Sequence, residues 1–273
     1  MKGFSEKTAY VVGGSSGIGL AIAGMLSRKG AHVVVFARRK DRLESCLPQI
    51  EGCAVSESQR FSSIPVDVSD RDEVQAVMSR AVTEFGVPDV LLNCVGRARP
   101  LCFEDVTFEQ FDETMKTNLY GAWNTVSALV PHMKARGGYI VNVSSMSGLI
   151  GVFGYTDYSA SKFAIIGYSE ALRSELQQYG ITVSVLCPPD TDTPGFQEEN
   201  RTKPPETRAI SARTKLMQPD DVARALIKGM ERGRFLIIPG FAGKYTYLMK
   251  RLFPGVVDFI MNRDIRKAQQ GTS

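Results

Sequence analysis

Seven short runs of apolar, mostly β-branched residues recur along the chain, at 8–12, 31–36, 61–66, 89–93, 139–144, 181–187 and 235–238. Most are continuously apolar rather than alternating, the pattern of strands covered on both faces. Longer helical stretches separate them. One opens at Gly17, another spans about 70–85, and a third starts at Thr107, with Gln110 placed as in a capping box. Pro219 followed by Asp220 and Asp221 reads as a helix first turn. Repeated βα units of this kind predict a doubly wound, seven-stranded parallel sheet with helices on both faces, joined by right-handed crossovers. Residues 188–217 break the rhythm. Their prolines, charges and lack of periodicity predict a long loop beyond the sixth strand, where α/β proteins usually receive ligands.

The glycines then narrow the fold. Gly13-Gly14-Ser15-Ser16-Gly17-Ile18-Gly19 follows the first run and opens the first helix. Gly13 permits a tight turn, Gly17 lets backbone approach a pyrophosphate, and Gly19 lets the helix sit close. Ser15, Ser16 and Ile18 complete a helix N-terminus whose free N–H groups and dipole suit phosphate. In its strand–turn–helix context this loop predicts a single Rossmann-type α/β domain over residues 1–240. The second run ends Val35-Phe36-Ala37-Arg38-Arg39. A carboxylate for a ribose 2′-hydroxyl is missing, whereas Arg38, with Arg42 one turn on, can hold a 2′-phosphate. The expected cofactor is NADP(H); the alternative is that both arginines are solvated helix-start residues.

Composition closes off other classes. With 43% hydrophobic and 23% charged residues, the 273-residue chain can bury a substantial core. Five irregularly spaced cysteines fit reduced thiols facing the cytosol, and with only two histidines no metal site is expected. Neither a secretory leader nor a membrane-spanning segment is read from the sequence. From Phe241 onward there are six basic and two acidic residues, so the whole net charge of +4 sits in the tail and the body is neutral. That distribution argues against nucleic acid as a partner.

Tyr158 and Lys162 stand four apart in Tyr-Ser-Ala-Ser-Lys within a helical stretch, so both project from one face. A free phenol has a pKa of about 10. An adjacent ammonium favours the phenolate, so this pair predicts a lowered tyrosine pKa. Ser145 lies thirteen residues upstream at the end of the fifth run, and Asn118 lies in the preceding helix.

Together with Asp67 after the third run and Asn93-Cys94-Val95-Gly96 after the fourth, this ordered set resembles the short-chain dehydrogenase/reductase family over about residues 6–240. The resemblance implies a carbonyl/alcohol oxidoreductase in which Tyr158 donates a proton to the carbonyl oxygen. It further implies that Lys162 binds the nicotinamide ribose and tunes Tyr158, that Ser145 rather than Ser144 bonds the reacting oxygen, and that Asn118 supports a proton-supplying water chain. Asp67 and Val68 are implied at the adenine, Asn93 at the central strand and cofactor, and Thr193 at the carboxamide. Family members usually associate through the helices bearing Asn118 and Tyr158, so a homo-dimer or homo-tetramer is expected. Two positions depart from the family pattern: Val12 replaces the usual Thr before the first glycine, and Pro188-Pro189 replaces Pro-Gly after the sixth strand.

The second departure, with Pro188-Pro189-Asp190-Thr191-Asp192-Thr193-Pro194-Gly195-Phe196 and Gly151-Val152-Phe153-Gly154-Tyr155-Thr156, resembles the 3-ketodihydrosphingosine reductase branch. That branch implies NADPH-dependent reduction of a long-chain, lipid-like 3-keto sphingoid base. The loop acids Asp190, Asp192, Glu198 and Glu199 can then meet its amino group or simply be solvated. Other substrates (3-oxoacyl, steroid or retinoid), or a non-catalytic NADP(H)-binding scaffold, remain alternatives.

The tail, residues 241–273, carries Tyr245, Leu248, Met249 and Leu252 as one apolar stripe edged by Lys244, Lys250 and Arg251. Such a stripe suits either a helix lying on an anionic membrane through about residues 241–267, or one packed on the domain or a partner subunit. The expected location is the cytoplasm or the cytosolic face of a membrane, the endoplasmic reticulum in a eukaryote, without secretion.

Overall fold

The computed structural model describes residues 3–270. Residues 1–2 and 271–273, the outer ends of the expected domain and tail, lie outside the described residues. The strands are β1 (Thr8–Val12), β2 (His32–Ala37), β3 (Phe61–Pro65), β4 (Val90–Asn93), β5 (Gly138–Val143), β6 (Ile181–Leu186) and β7 (Leu236–Ile237). All pair in parallel in one sheet ordered β3-β2-β1-β4-β5-β6-β7. The apolar runs therefore became strands as expected, with ends shifted by one residue.

Side-chain alternation explains why these runs are apolar throughout. Val11, Val33, Val35, Leu92 and Val141 point to one face. There they meet α1 (Gly17–Arg28), α2 (Lys40–Glu51) and α9 (Pro219–Glu231) through Ile22, Leu26, Leu43, Ile50, Leu226 and Met230. Tyr10, Val34, Phe36, Leu91 and Ile140 point to the other. They meet α3 (Arg71–Phe85), α5 (Gly121–Met133) and α6 (Thr156–Leu176) through Val74, Met78, Val126, Leu129 and Leu176. Asp70 accepts from the N–H groups of Asp72 and Glu73 at the start of α3, and Thr107 accepts from Gln110 N at the start of α4 (Phe108–Met115). Only half of the expected capping box at Thr107 forms, since the Gln110 side-chain amide turns to Arg99 O and Asp157.

The chain winds outward from β1 to β3, then returns to lay β4 against β1 and winds the other way. This reversal leaves a crevice at the C-terminal ends of β1 and β4, where Val12 pairs with Asn93. The expected loop at 188–217 is a correction: it contains α7 (Pro194–Thr202) and α8 (Pro205–Ser211). Both carry proline at the first helical position, and Thr193 caps α7 through Phe196 N. The Thr-Pro pair was the available signal; helices this short show too few turns for a periodicity. The tail forms α10 (Phe241–Leu252) and α11 (Pro254–Gln270), and α11 packs against α8. Buried Asp264 on α11 there pairs with Arg213.

Candidate active site

The glycine loop occupies the crevice end of β1. Gly13 has φ +84°, and a Cβ there would lie 2.7 Å from Val95 N; a Cβ on Gly19 would lie 2.2 Å from Gly13 O. Side chains are thus excluded where the loop meets the β4 strand end and its own first turn. Ser16 is the N-cap of α1, yet its hydroxyl makes no capping bond and the first turn holds no acidic residue. Both features leave the helix N-terminus open to an anion, so the residues present fit a dinucleotide pyrophosphate. Ser15 is half-buried in the same loop, and Ile18 packs into the core beneath it.

The position of Val12 is accommodated by backbone. Cys94 N–H donates to Val12 O at 2.7 Å and Gly13 N–H to Phe36 O at 2.7 Å, tying the loops that a threonine hydroxyl was expected to tie. Arg38 projects from the end of β2, largely exposed, with Nη1 3.6 Å from Asp67 Oδ2; Arg42 is half-buried on α2. Burial pushes the Asp67 carboxyl up, but bonds from Ser69 and the Arg38 charge outweigh it and hold it below its ordinary range. Val68 is buried, its carbonyl accepting from Asn124 Nδ2 at 2.8 Å.

Asn118 sits in a π-helical turn, Lys116–Tyr120, joining α4 to α5. Such turns widen a helix by one residue and often mark functional positions; nothing in the sequence announced this one. Asn118 accepts from Arg97 N–H at 2.8 Å and donates to Arg97 O and Ser161 Oγ, both at 3.0 Å. The two candidate serines separate clearly. Ser144 is buried and donates to Lys162 O at 2.8 Å, whereas half-buried Ser145 accepts from Ser147 N–H at 3.1 Å and adjoins the Tyr158 phenol.

Tyr158 and Lys162 share one face of α6. Lys162 Nζ lies 5.6 Å from the Tyr158 ring centroid and donates to Val143 O at 3.0 Å. Gly96 gives it room, since a Cβ there would lie 3.1 Å from Nζ. Burial pulls the Lys162 ammonium down to about 8. The expectation of a lowered Tyr158 pKa is overturned. Burial and then the Glu199 carboxylate push the phenol well above its ordinary value, and nearby Ser145 offsets only part of this. Tyr158 therefore holds its proton at neutral pH.

Other contacts were not foreseen. Buried Asp157 accepts from Thr114 Oγ1 (2.8 Å), Gln110 Nε2 (3.2 Å) and Tyr158 N–H (2.7 Å), clamping the start of α6 to α4. Asn93 does support the central strand, but its side chain turns inward. Nδ2 donates to Asn142 Oδ1 at 2.9 Å and Oδ1 accepts from Thr125 at 2.7 Å, so the side chain is committed to the core rather than to a cofactor. Thr193 caps α7 by accepting from Phe196 N–H at 3.1 Å, which leaves its own O–H free to donate, and its methyl stands opposite Gly17.

A sequence model of the family described as short chain dehydrogenase matches residues 7–204. The chain belongs to that family. It is an oxidoreductase that uses a nicotinamide dinucleotide, and the Asn118, Ser145, Tyr158 and Lys162 positions just described lie within the matched span. Among curated relatives, it is 42% identical over 227 residues to a 3-ketodihydrosphingosine reductase of Bos taurus, covering 82% of this chain and 68% of the relative. It is 38% identical over 268 residues to the protein of that name from Dictyostelium discoideum, covering 93% and 79%. Among solved structures, the apo form of LigD from Sphingobium sp. strain SYK-6 superposes with a TM-score of 0.77 at 28% identity, covering 93% of this chain and 97% of that one. A short chain dehydrogenase/reductase from Burkholderia phymatum in complex with NAD superposes with a TM-score of 0.81 at 23% identity, covering 92% and 95%, a likeness of fold.

Proposed function

We propose that this oxidoreductase reduces the 3-keto group of a long-chain sphingoid base with NADPH, Tyr158 supplying the proton. The observation that carries the reading is a protonated, half-buried phenol adjoining Ser145 and backed by Lys162, at the chemical end of a glycine-lined crevice. The relatives named for 3-ketodihydrosphingosine reduction supply the substrate class. The bound dinucleotide supplies the hydride. Gly13, Ser15, Ser16, Gly17, Ile18 and Gly19 would hold its pyrophosphate, Asp67 and Val68 its adenine side, and Arg38 with Arg42 a 2′-phosphate. Ser145 and Tyr158 orient the substrate carbonyl by hydrogen bonds to its oxygen. As charge develops there, the proton passes from Tyr158 Oη to that oxygen and the alcohol forms. Lys162 lies close enough to stabilise the phenolate left behind, and Asn118 holds the Arg97 backbone beside it for proton return.

On this reading residues 1–240 are the catalytic unit, with 188–217 flanking the substrate. Residues 241–267 rest on an anionic membrane surface at the cytosolic side, that of the endoplasmic reticulum in a eukaryotic cell. Phe241, Tyr245, Leu248, Leu252, Phe253, Val256 and Phe259 are all exposed on α10 and α11 or between them, beside Lys244, Arg251 and Arg266. Among the described residues no helix is long and apolar enough to cross a membrane. Exposed Tyr120, Trp123 and Phe163 on the α5–α6 side suit a homo-oligomer.

The test is turnover by the purified protein. NADPH with 3-ketodihydrosphingosine should yield dihydrosphingosine, with a lower kcat/KM for NADH and for a panel of 3-oxoacyl, steroid and retinoid carbonyls. No product from the sphingoid ketone rejects the assignment.

A further inference from the structure

Beside Tyr158 stands a group of charged side chains that proton donation does not use. Glu199 on α7 accepts a 2.9 Å hydrogen bond from Tyr155 Oη, and the Tyr155 ring centroid is 5.4 Å from that of Tyr158. Glu199 is the strongest charge acting on the Tyr158 phenol, with Asp190, in the loop after β6, the next carboxylate. Lys203 completes the group. It is 4% exposed, its Nζ has no hydrogen-bond partner, and it lies 3.9 Å from the Phe196 ring centroid within the field of both carboxylates.

This arrangement works against the chemistry as it stands. A carboxylate next to a proton donor makes the donor hold its proton more tightly, and an ammonium without a hydrogen-bond partner is costly to bury. A ligand with a cation beside its carbonyl and a hydroxyl one carbon further relieves both. The cation offsets Glu199, which frees the phenol to donate, and the hydroxyl oxygen gives Lys203 an acceptor.

We propose that Glu199 determines substrate specificity by receiving an ammonium on the carbon adjacent to the keto group, with Lys203 donating to the neighbouring head-group hydroxyl. The inference rests on the sphingoid-base reading and sharpens it: the enzyme selects α-amino ketones over plain ketones of equal length. Burial raises the Glu199 carboxyl to about 7, so an approaching cation also draws it into its charged form. Tyr155, which holds the carboxylate in place, is a positioning residue.

The experiment compares kcat/KM for 3-ketodihydrosphingosine and its desamino 1-hydroxy-3-ketone analogue, with saturating NADPH and the full chain. Wild type should prefer the amino ketone. Glu199→Gln keeps an acceptor for Tyr155 but removes the charge, and should lose about tenfold to a hundredfold of that preference. Tyr155→Phe removes one hydrogen bond that positions the carboxylate but keeps its charge, and should lose only part of the preference. If Glu199→Gln discriminates as wild type does, or if Tyr155→Phe loses the preference equally, Glu199 does not read the amine. A wild-type protein that reduces neither sphingoid ketone but does reduce another carbonyl overturns the substrate reading itself, a failure visible before any variant is made.

Discussion

Replacing Lys162 with methionine should abolish most activity without lowering stability at neutral pH. The ammonium is buried, and its pKa of about 8 in the folded chain stands against 10.5 ordinarily. A depression of that size corresponds to a burial cost of about 3 kcal/mol. Below pH 8 folded and unfolded chains both hold the proton, and the cost is complete. Between pH 8 and 10.5 the unfolded chain binds one proton more, so wild-type stability rises by about 1.4 kcal/mol per pH unit from this group. Above 10.5 the cost is gone. Methionine has similar length and no charge, but it forfeits the bond to Val143 O, a loss of about 1–3 kcal/mol. At pH 7 the variant should therefore match wild type or exceed it by up to about 2 kcal/mol. That advantage should reverse by pH 10.5; Cys94 and Cys187, pushed up from 9.0 to about 12 by burial, lower the stability of both proteins as pH rises past 9 and largely cancel in the difference. Urea unfolding of both proteins across this range measures the difference directly, while kcat/KM should fall by about a hundredfold or more. A variant several kcal/mol less stable at pH 7, or a stability difference that stays flat between pH 8 and 10.5, would refute the reasoning.

Tyr158→Phe should bind NADPH as wild type does, by nucleotide fluorescence, while kcat falls by about 10²–10⁴; undiminished turnover would leave the proton source elsewhere. Arg38→Ser should raise KM for NADPH by about tenfold to a hundredfold and leave KM for NADH nearly unmoved, since only the 2′-phosphate loses a charge-assisted bond. Asn93→Ala should cost about 2–4 kcal/mol in urea unfolding, because Asn142 Oδ1 loses its donor inside the core. The double variant with Asn142→Ala should cost less than the two singles summed.

Much of the architecture is written in local patterns. Apolar runs covered on both faces, a glycine loop opening a helix, Thr107 as a cap, and Tyr158 and Lys162 four apart each follow from backbone periodicity and sterics, which act between near neighbours in the chain. These were readable, and so was the family. Strand ends moved by a residue because a ladder ends where its neighbour ends. Helices α7 and α8 were missed because nine and seven residues leave little periodicity to see.

The charges around the phenol were not readable, because they depend on which distant segments fold against it. Lys162 is four residues from Tyr158 and was expected to govern its acidity. Glu199, forty-one residues away, outweighs it because α7 returns over the crevice and Tyr155 fixes the carboxylate there. The inward turn of Asn93, the separation of Ser144 from Ser145 and the π turn at Asn118 have the same origin. Periodicity assigns a residue to an element and a face, whereas proton affinity and hydrogen-bond partners are set by the groups that packing brings within a few ångströms.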